Sequence, residues 1–329
     1  MTRLTRRNLC LGLIGVAAGP LPLRAQQPSL PVVGFLSSGS PRAFAKFLKA
    51  FQQGLSEAGF VEGRDVSIVY RWAEGHFDEL DALAAELAAR PVTLIAATGG
   101  MVSAQAAKKA TQTIPIVTVL GFDPVKLGLV ASFNKPGGNL TGTTIITTEL
   151  APKRLSLLCD LDPDIRTIAS LVNPDSSGTK AETEILAAAA STTGRSLMVL
   201  SARSDSEIDG AFVEAAGKGV RGIVISADPL FTARRAHIVA LAAKHRLPVM
   251  YPFREFAEAG GLMSYGPNLA GAYRVAGIYA GRILKGAKPS ELPIEEPTAF
   301  EFIVNMKTAK ALGLTIPPGL LSIVDDTIE

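Results

Sequence analysis

The stretch LIAATGGMVSAQAAKKA, Leu94 to Ala110, runs an apolar, strand-forming segment into Thr98-Gly99-Gly100 and then directly into an alanine-rich helical pattern. A strand that ends in a glycine turn and opens a helix gathers unpaired N–H groups and the positive end of the helix dipole at one point. Such a turn suits a phosphate, a carboxylate or plain helix capping. The chain holds no P-loop, no G-x-S-x-G elbow and no G-x-G-x-x-G fingerprint, and the TGG turn lacks the third glycine that a dinucleotide site needs.

The same alternation extends in both directions. Pro31–Leu36 reads as a strand, and Phe44, Phe47, Leu48, Phe51 and Leu55 follow at helical spacing up to Gly59. Asp65–Trp72 and Pro115–Leu120 are further strands, with a helix marked by Leu80, Leu83, Ala84 and Leu87 between them. The turn cluster NKPGGNLTG (Asn134–Gly142) precedes an extended segment, Thr141–Thr148, after which the alternation restarts. Strands at Thr167–Val172, Leu197–Leu200, Gly222–Ser226 and Pro248–Tyr251 are interleaved with helices at Ala181–Ala190, Ser206–Ala216 and Ala233–Lys244. A strand-like GGLMSYG (Gly260–Gly266), a helix over Ala270–Leu284 and a strand over Glu301–Asn305 complete the pattern. This is the signature of parallel β-α-β units, so the expected class is α/β, with two doubly wound parallel-sheet lobes of similar size.

The first 25 residues read as an export signal: Arg3, Arg6 and Arg7, the apolar run Leu9–Ala18, then Gly19-Pro20 and a cut after Ala25. Both the twin-arginine and the general secretory routes fit this segment. The apolar run is too short to cross a bilayer and no later run reaches about 20 residues, so a soluble periplasmic monomer without membrane insertion is expected. Removing residues 1–25 takes away four arginines and no acid, which turns a net charge of +3 into −1. Without a basic stripe, binding to nucleic acid or to an anionic membrane has no electrostatic drive. Cys10 leaves with the signal and strands Cys159, so neither an intramolecular disulfide nor a cysteine metal cluster is expected.

Ligands of open parallel sheets sit at the carboxyl ends of the strands. Several such ends here share a small polar and aromatic vocabulary. Ser37 and Ser38 either contact a ligand or cap the first helix. Trp72 is either a wall for a flat ligand or core packing, and Phe122 is a second apolar wall. Asn173, in Asn173-Pro174-Asp175, is either a contact or a turn residue. Arg254 is either a carboxylate clamp or the surface partner of Glu255. The three histidines, His76, His237 and His245, have no metal-ligand spacing. Asp160, Asp162 and Asp164 imitate the start of a calcium loop, but Ile165 stands where its glycine belongs and Leu171 where its last glutamate belongs.

The motifs VVGFLSSGSP, EGRDVSIVYRWAEG, LIAATGG, TIPIV, DPVKLGLVASFNKPGGNLTG, ADPLF and the long block opening YPFREFAEAGGLMSYGPNLAGAYRVAGIYAGRILKGAKPSELPIEEP follow one another in fixed order. In this the chain resembles the exported substrate-binding proteins of ABC importers, in the family that includes tryptophan- and tyrosine-binding members. The resemblance implies the type I periplasmic-binding-protein fold, two lobes joined by a three-segment hinge that closes over a ligand. It places residues 30–143 plus 255–290 in lobe 1 and residues 147–250 plus 300–329 in lobe 2. The crossings would run at Thr141–Thr148, near Tyr251–Phe256 and near Pro297–Phe302.

The resemblance further implies that Ser37, Ser38, Thr98, Gly99, Gly100 and Asp123 face Asn173, Asp228 and Tyr251 across the cleft. Asp123 or Asp228 would hold the ammonium of an amino acid. Arg71-Trp72 and Phe253-Arg254 are not typical of amino-acid-binding members, which leaves an aromatic or carboxylate compound equally open. The expected partners are a small molecule, a permease and its ATPase subunits, with no cofactor and no catalysis. A ligand-sensing receptor module of the same fold and a secreted α/β hydrolase are the rival readings; the latter needs a nucleophile–base pair that the sequence does not offer.

Overall fold

The computed structural model describes residues 30–297 and 299–329, so the expected export signal lies outside the described residues. The first lobe contains β1 (Val32–Ser37), α1 (Ala45–Glu57), β2 (Ser67–Trp72), α2 (Leu80–Ala88), β3 (Leu94–Thr98), α3 (Met101–Ala110), β4 (Ile116–Leu120) and β5 (Leu140–Thr144). Its sheet is wholly parallel in the order β2-β1-β3-β4-β5. Helices cover both faces of such a sheet, which is why β3 and β4 are buried along their whole length and read as near-continuous apolar runs, with Thr118 and Thr98 the only polar residues in them.

The second lobe follows with α4 (Ala151–Leu161), β6 (Thr167–Val172), α5 (Thr179–Thr192), β7 (Ser196–Ser201), α6 (Asp205–Gly217), β8 (Gly222–Ile225), α7 (Pro229–Ala233), α8 (Arg235–His245), β9 (Val249–Tyr251), α9 (Arg254–Glu258) and β10 (Met263–Pro267). The chain then supplies α10 (Leu269–Leu284), β11 (Phe300–Asn305), α11 (Met306–Leu312), α12 (Pro318–Leu321) and β12 (Asp326–Ile328). The second sheet runs β12-β11-β10-β9-β8-β6-β7, parallel except where β10 meets β11.

Helix α10 returns to the first lobe. Its contact with α1 is made at glycines: a Cβ on Gly54 would lie 1.8 Å from the Arg274 carbonyl oxygen, and one on Gly277 would lie 2.0 Å from that of Phe51. The helix backbones touch there, and any side chain would separate them.

The chain therefore passes between the sheets after β5, between β10 and α10, and between Glu295, bridged to Thr143, and β11. The second passage differs from the expected one near Tyr251–Phe256, and residues 255–267 lie with the second sheet rather than in lobe 1. The reason is register: Met263 and Ser264 pair with Met250 and Tyr251, and Met263–Pro267 pair along their length with β11. The backbone hydrogen bonds of β10 are thus made entirely within the second sheet, and Asn268, which caps α10, is the residue at the turn.

Candidate functional site

The carboxyl ends of both sheets face one another across a closed seam. Arg235 of α8 donates to the carbonyl of Ala43 in the first lobe at 3.0 Å. A Cβ on Gly100 would lie 2.7 Å from Cγ of Pro229 in the second lobe. Between these contacts is a cavity of about 50 Å³ with the aromatic rings of Phe44, Phe253 and Tyr273 and the side chains of Ile145, Thr147 and Thr232 in its wall. It shares Gly100, Gly121, Ala227 and Pro229 with a more polar chamber of about 70 Å³ that reaches Gln105, Phe122, Asp175, Ser176 and Asp228. The cleft is thus apolar at one end and acidic at the other.

The TGG turn forms the first-lobe edge of both chambers. Gly99 and Gly100 have φ of +84° and +93°, a region that favours glycine. A side chain at Gly99 would also collide with the Ser37 and Ser38 hydroxyls, 2.9 and 2.7 Å away. The N–H of Gly99 donates to the Tyr273 hydroxyl at 3.0 Å. As the residues that open α3, Gly100 and Met101 have no carbonyl within the helix to which their N–H groups can donate.

Ser37, Ser38 and Thr98 stand behind this turn rather than in the chambers. Ser38 Oγ donates to the Gly99 carbonyl at 2.5 Å, Ser37 Oγ accepts from the Gly39 N–H, and the fully buried Thr98 hydroxyl points to the Leu36 carbonyl at 3.4 Å. They brace the backbone that faces the cleft.

In the second lobe Asp228 caps α7, accepting the Leu230 N–H at 2.8 Å and the Asn173 side-chain amide at 3.2 Å. Asn173 is itself fixed by accepting the Asp175 N–H. Burial pushes the Asp228 carboxyl up to about 6, although both hydrogen bonds oppose the shift. A buried acid with this bias gains most from a cation brought to it. Asp123, the other candidate for an ammonium, accepts the N–H groups of Val125 and Lys126 and lines an outer groove of about 220 Å³ with Phe122, not the two chambers.

Three further expected site residues lie away from the chambers. Trp72 packs against Phe35 with ring centroids 5.3 Å apart and stacks on Tyr70 at 6.4 Å, on the edge strand of the sheet and against the core that α1 covers. Tyr251 is fully buried inside the second lobe, stacked on Phe256 at 4.9 Å and pressed against Gly261. Arg254 is held by Glu258, Glu301 and Asp326 in the lobe-2 sheet region, with one carboxylate on each of its three guanidinium nitrogens.

Sequence reasoning missed Phe44, Ile145, Thr147, Thr232 and Tyr273. Phe253 was visible as part of the strand end between Tyr251 and Arg254; the others are ordinary core-type residues until α1, α10 and the hinge are placed in space.

Residues 32–328 match the family model described as ABC transporter substrate binding protein. The chain belongs to that family. A tyrosine-binding protein of Clostridioides difficile (strain R20291) is 26% identical over 269 residues, 82% of this chain and 77% of the relative. A Streptococcus pneumoniae ABC domain in complex with L-Trp is 26% identical and superimposes with a TM-score of 0.82, covering 91% of this chain and 100% of that one. A Clostridium difficile substrate binding protein with adhesive properties, in its ligand-free, open structure, is 25% identical over 91% of this chain and 100% of that one, with a TM-score of 0.63.

The substrate-binding protein described here thus has the type I periplasmic-binding fold. At nearly equal identity it resembles the L-Trp complex more closely than the open relative, in keeping with its closed seam. Its family places it among binding proteins of ABC-type transport, with a small molecule as ligand and transporter subunits as partners.

Proposed function

We propose that this protein is the periplasmic solute-binding component of an ABC importer and that it captures an aromatic amino acid, closing its lobes over the ligand and delivering it to the permease. The observation that carries this reading is the polarity of the cleft: an aromatic-walled chamber continuous with one that holds a buried carboxylate opposite a helix start. The ring of the ligand would lie by Phe44, Phe253 and Tyr273, its ammonium at Asp228 and its carboxylate at the N–H groups of Gly100 and Met101. The names of the tyrosine-binding and L-Trp-bound relatives point to the same ligand class.

The magnitudes are consistent with this arrangement. Burying roughly 150–200 Å² of ring at about 25 cal/mol per Å² contributes roughly 4–5 kcal/mol. A micromolar affinity corresponds to about 8 kcal/mol. Two charge-assisted hydrogen bonds at about 1.5–3 kcal/mol each supply the difference. Titration calorimetry with L-tryptophan, L-tyrosine and L-phenylalanine tests the reading, with their α-amides and N-acetyl derivatives as controls. Binding of the free amino acids and loss of binding in both derivatives is expected; tighter binding of the amides than of the acids would overturn the carboxylate seat.

A further inference from the structure

Beneath the second-lobe wall of the cleft lies a charged pair that the binding reading does not use. Arg154 of α4 is fully buried, and its guanidinium grips the main chain of two different hinge passages. Its Nη2 donates to the Thr147 carbonyl at 2.9 Å, just after β5, and its Nε donates to the Tyr265 carbonyl at 3.0 Å, three residues before the Asn268 turn. The remaining nitrogen, Nη1, stands 3.8 Å from Glu182 Oε1 of α5, and neither atom has a hydrogen-bond partner. The other Glu182 oxygen accepts the Ser226 hydroxyl at 2.7 Å. Ser226 in turn accepts the N–H of Asp228, through its carbonyl, at 3.0 Å.

A continuous buried path therefore runs from two hinge segments through Arg154, Glu182 and Ser226 to the acid that faces the ligand. Burial disfavours the charge on both partners, lowering the Arg154 guanidinium and raising the Glu182 carboxyl. A buried ion pair with imperfect geometry contributes little net stability, and apolar replacements of such pairs are often neutral or stabilising. Fold stability alone is a weak reason to place one here.

We propose that Arg154 is a positioning residue for ligand capture: by holding Thr147 and Tyr265 together and carrying Glu182 on its third nitrogen, it locks the second-lobe ends of two hinge passages to the loop that presents Asp228. This rests on the reading that the lobes close over a ligand. Thr147 itself forms part of the cavity wall, so the first grip lies at the meeting point of hinge and cleft.

The test uses Arg154→Met combined with Glu182→Gln, which removes both charges while leaving Ser226 an acceptor, and separately Arg154→Lys, which keeps the charge but loses the two-pronged grip. Lys49 in α1 and Lys244 in α8, both exposed, are replaced by cysteine and spin-labelled to read the distance between lobes by electron–electron resonance. In the ligand-free protein both hinge variants should show a broader distance distribution than the parent. With L-tryptophan as probe, the double variant should bind about tenfold or more weakly while its thermal midpoint stays close to the parent's. A variant that keeps the parental distance distribution overturns the proposal, as does full rescue by Arg154→Lys, which would make the residue a charge balancer for Glu182. If the parent itself binds none of L-tryptophan, L-tyrosine and L-phenylalanine, the amino-acid reading fails, and the ligand-free distance distribution still decides the role of Arg154. If the double variant does not fold, Arg154→Lys decides it by the same measurement.

Discussion

The ring of Phe122 in the first lobe lies directly on Gly178 in the second: a Cβ at Gly178 would stand 1.7 Å from Cε1 of that ring. Gly178 has φ of −90° and ψ of −10°, a conformation open to any residue, so the seam between lobes is what requires glycine there. Gly178→Ala should therefore leave the unfolding free energy of the ligand-free protein within about 0.5 kcal/mol and weaken ligand binding about tenfold, near 1.4 kcal/mol. Denaturant unfolding and calorimetry on the same variant check both halves. Unchanged affinity would show that Phe122 swings aside without cost.

Asp228 supplies a pH prediction. Burial raises its carboxyl to about 6 from an ordinary 3.8, so the folded state holds the proton more tightly than the unfolded state. Its contribution to stability is thus greatest below about pH 4 and is lost as pH rises through about 6, an effect on the order of 3 kcal/mol. Asp228→Asn removes that loss. The variant should be more stable than the parent at pH 7.5 in the absence of ligand, should lose the advantage at pH 4, and should no longer bind an amino acid with useful affinity. Paired urea titrations at the two pH values measure the difference; an equal effect at both would refute a titrating Asp228.

Tyr273 joins α10 to the TGG turn. Its hydroxyl accepts the Gly99 N–H at 3.0 Å while its ring stacks on Phe47 at 5.1 Å, and the residue is almost fully buried. Tyr273→Phe keeps the stack and leaves a buried N–H without its acceptor, at a cost of about 1–3 kcal/mol. Stability should fall by that amount, and ligand affinity should fall with it because the released turn carries the Gly100 and Met101 N–H groups. A neutral effect on both would mean that a water replaces the hydroxyl.

The period-2 and period-3.6 patterns reported the elements well because each lobe is built from sequential β-α-β units, in which neighbours in sequence are neighbours in space. The lobe of Met263–Pro267 is set by pairing with Phe300–Asn305, more than 30 residues on, and no local pattern carries that information. The candidate site divides in the same way. Backbone-driven features, the TGG turn and the Asp228 cap, were visible as strand-end motifs. The aromatic wall was not, because Phe44 and Tyr273 belong to helices whose inward faces read as core. Arg254 and Trp72 were named for their chemistry, but their neighbours on the folded surface already satisfy it.

Arg254 gives the sharpest negative prediction. Its guanidinium bonds Glu258 at 3.1 Å and Asp326 at 3.0 Å and also contacts Glu301, so it joins α9 to β11 and β12. These three acids hold the Arg254 charge firmly and push its ionisation further up. None of them borders the chambers, and neither does Arg254. Arg254→Ala should therefore reduce stability by about 1 kcal/mol, the scale of a partly exposed ion-pair network, and less in high salt. Its affinity for a carboxylate ligand should stay within about twofold of the parent, a change of under 0.5 kcal/mol. A tenfold loss of carboxylate binding, with the amide of the same compound unaffected, would return Arg254 to the cleft as a clamp and would require the lobes to rearrange when the ligand arrives.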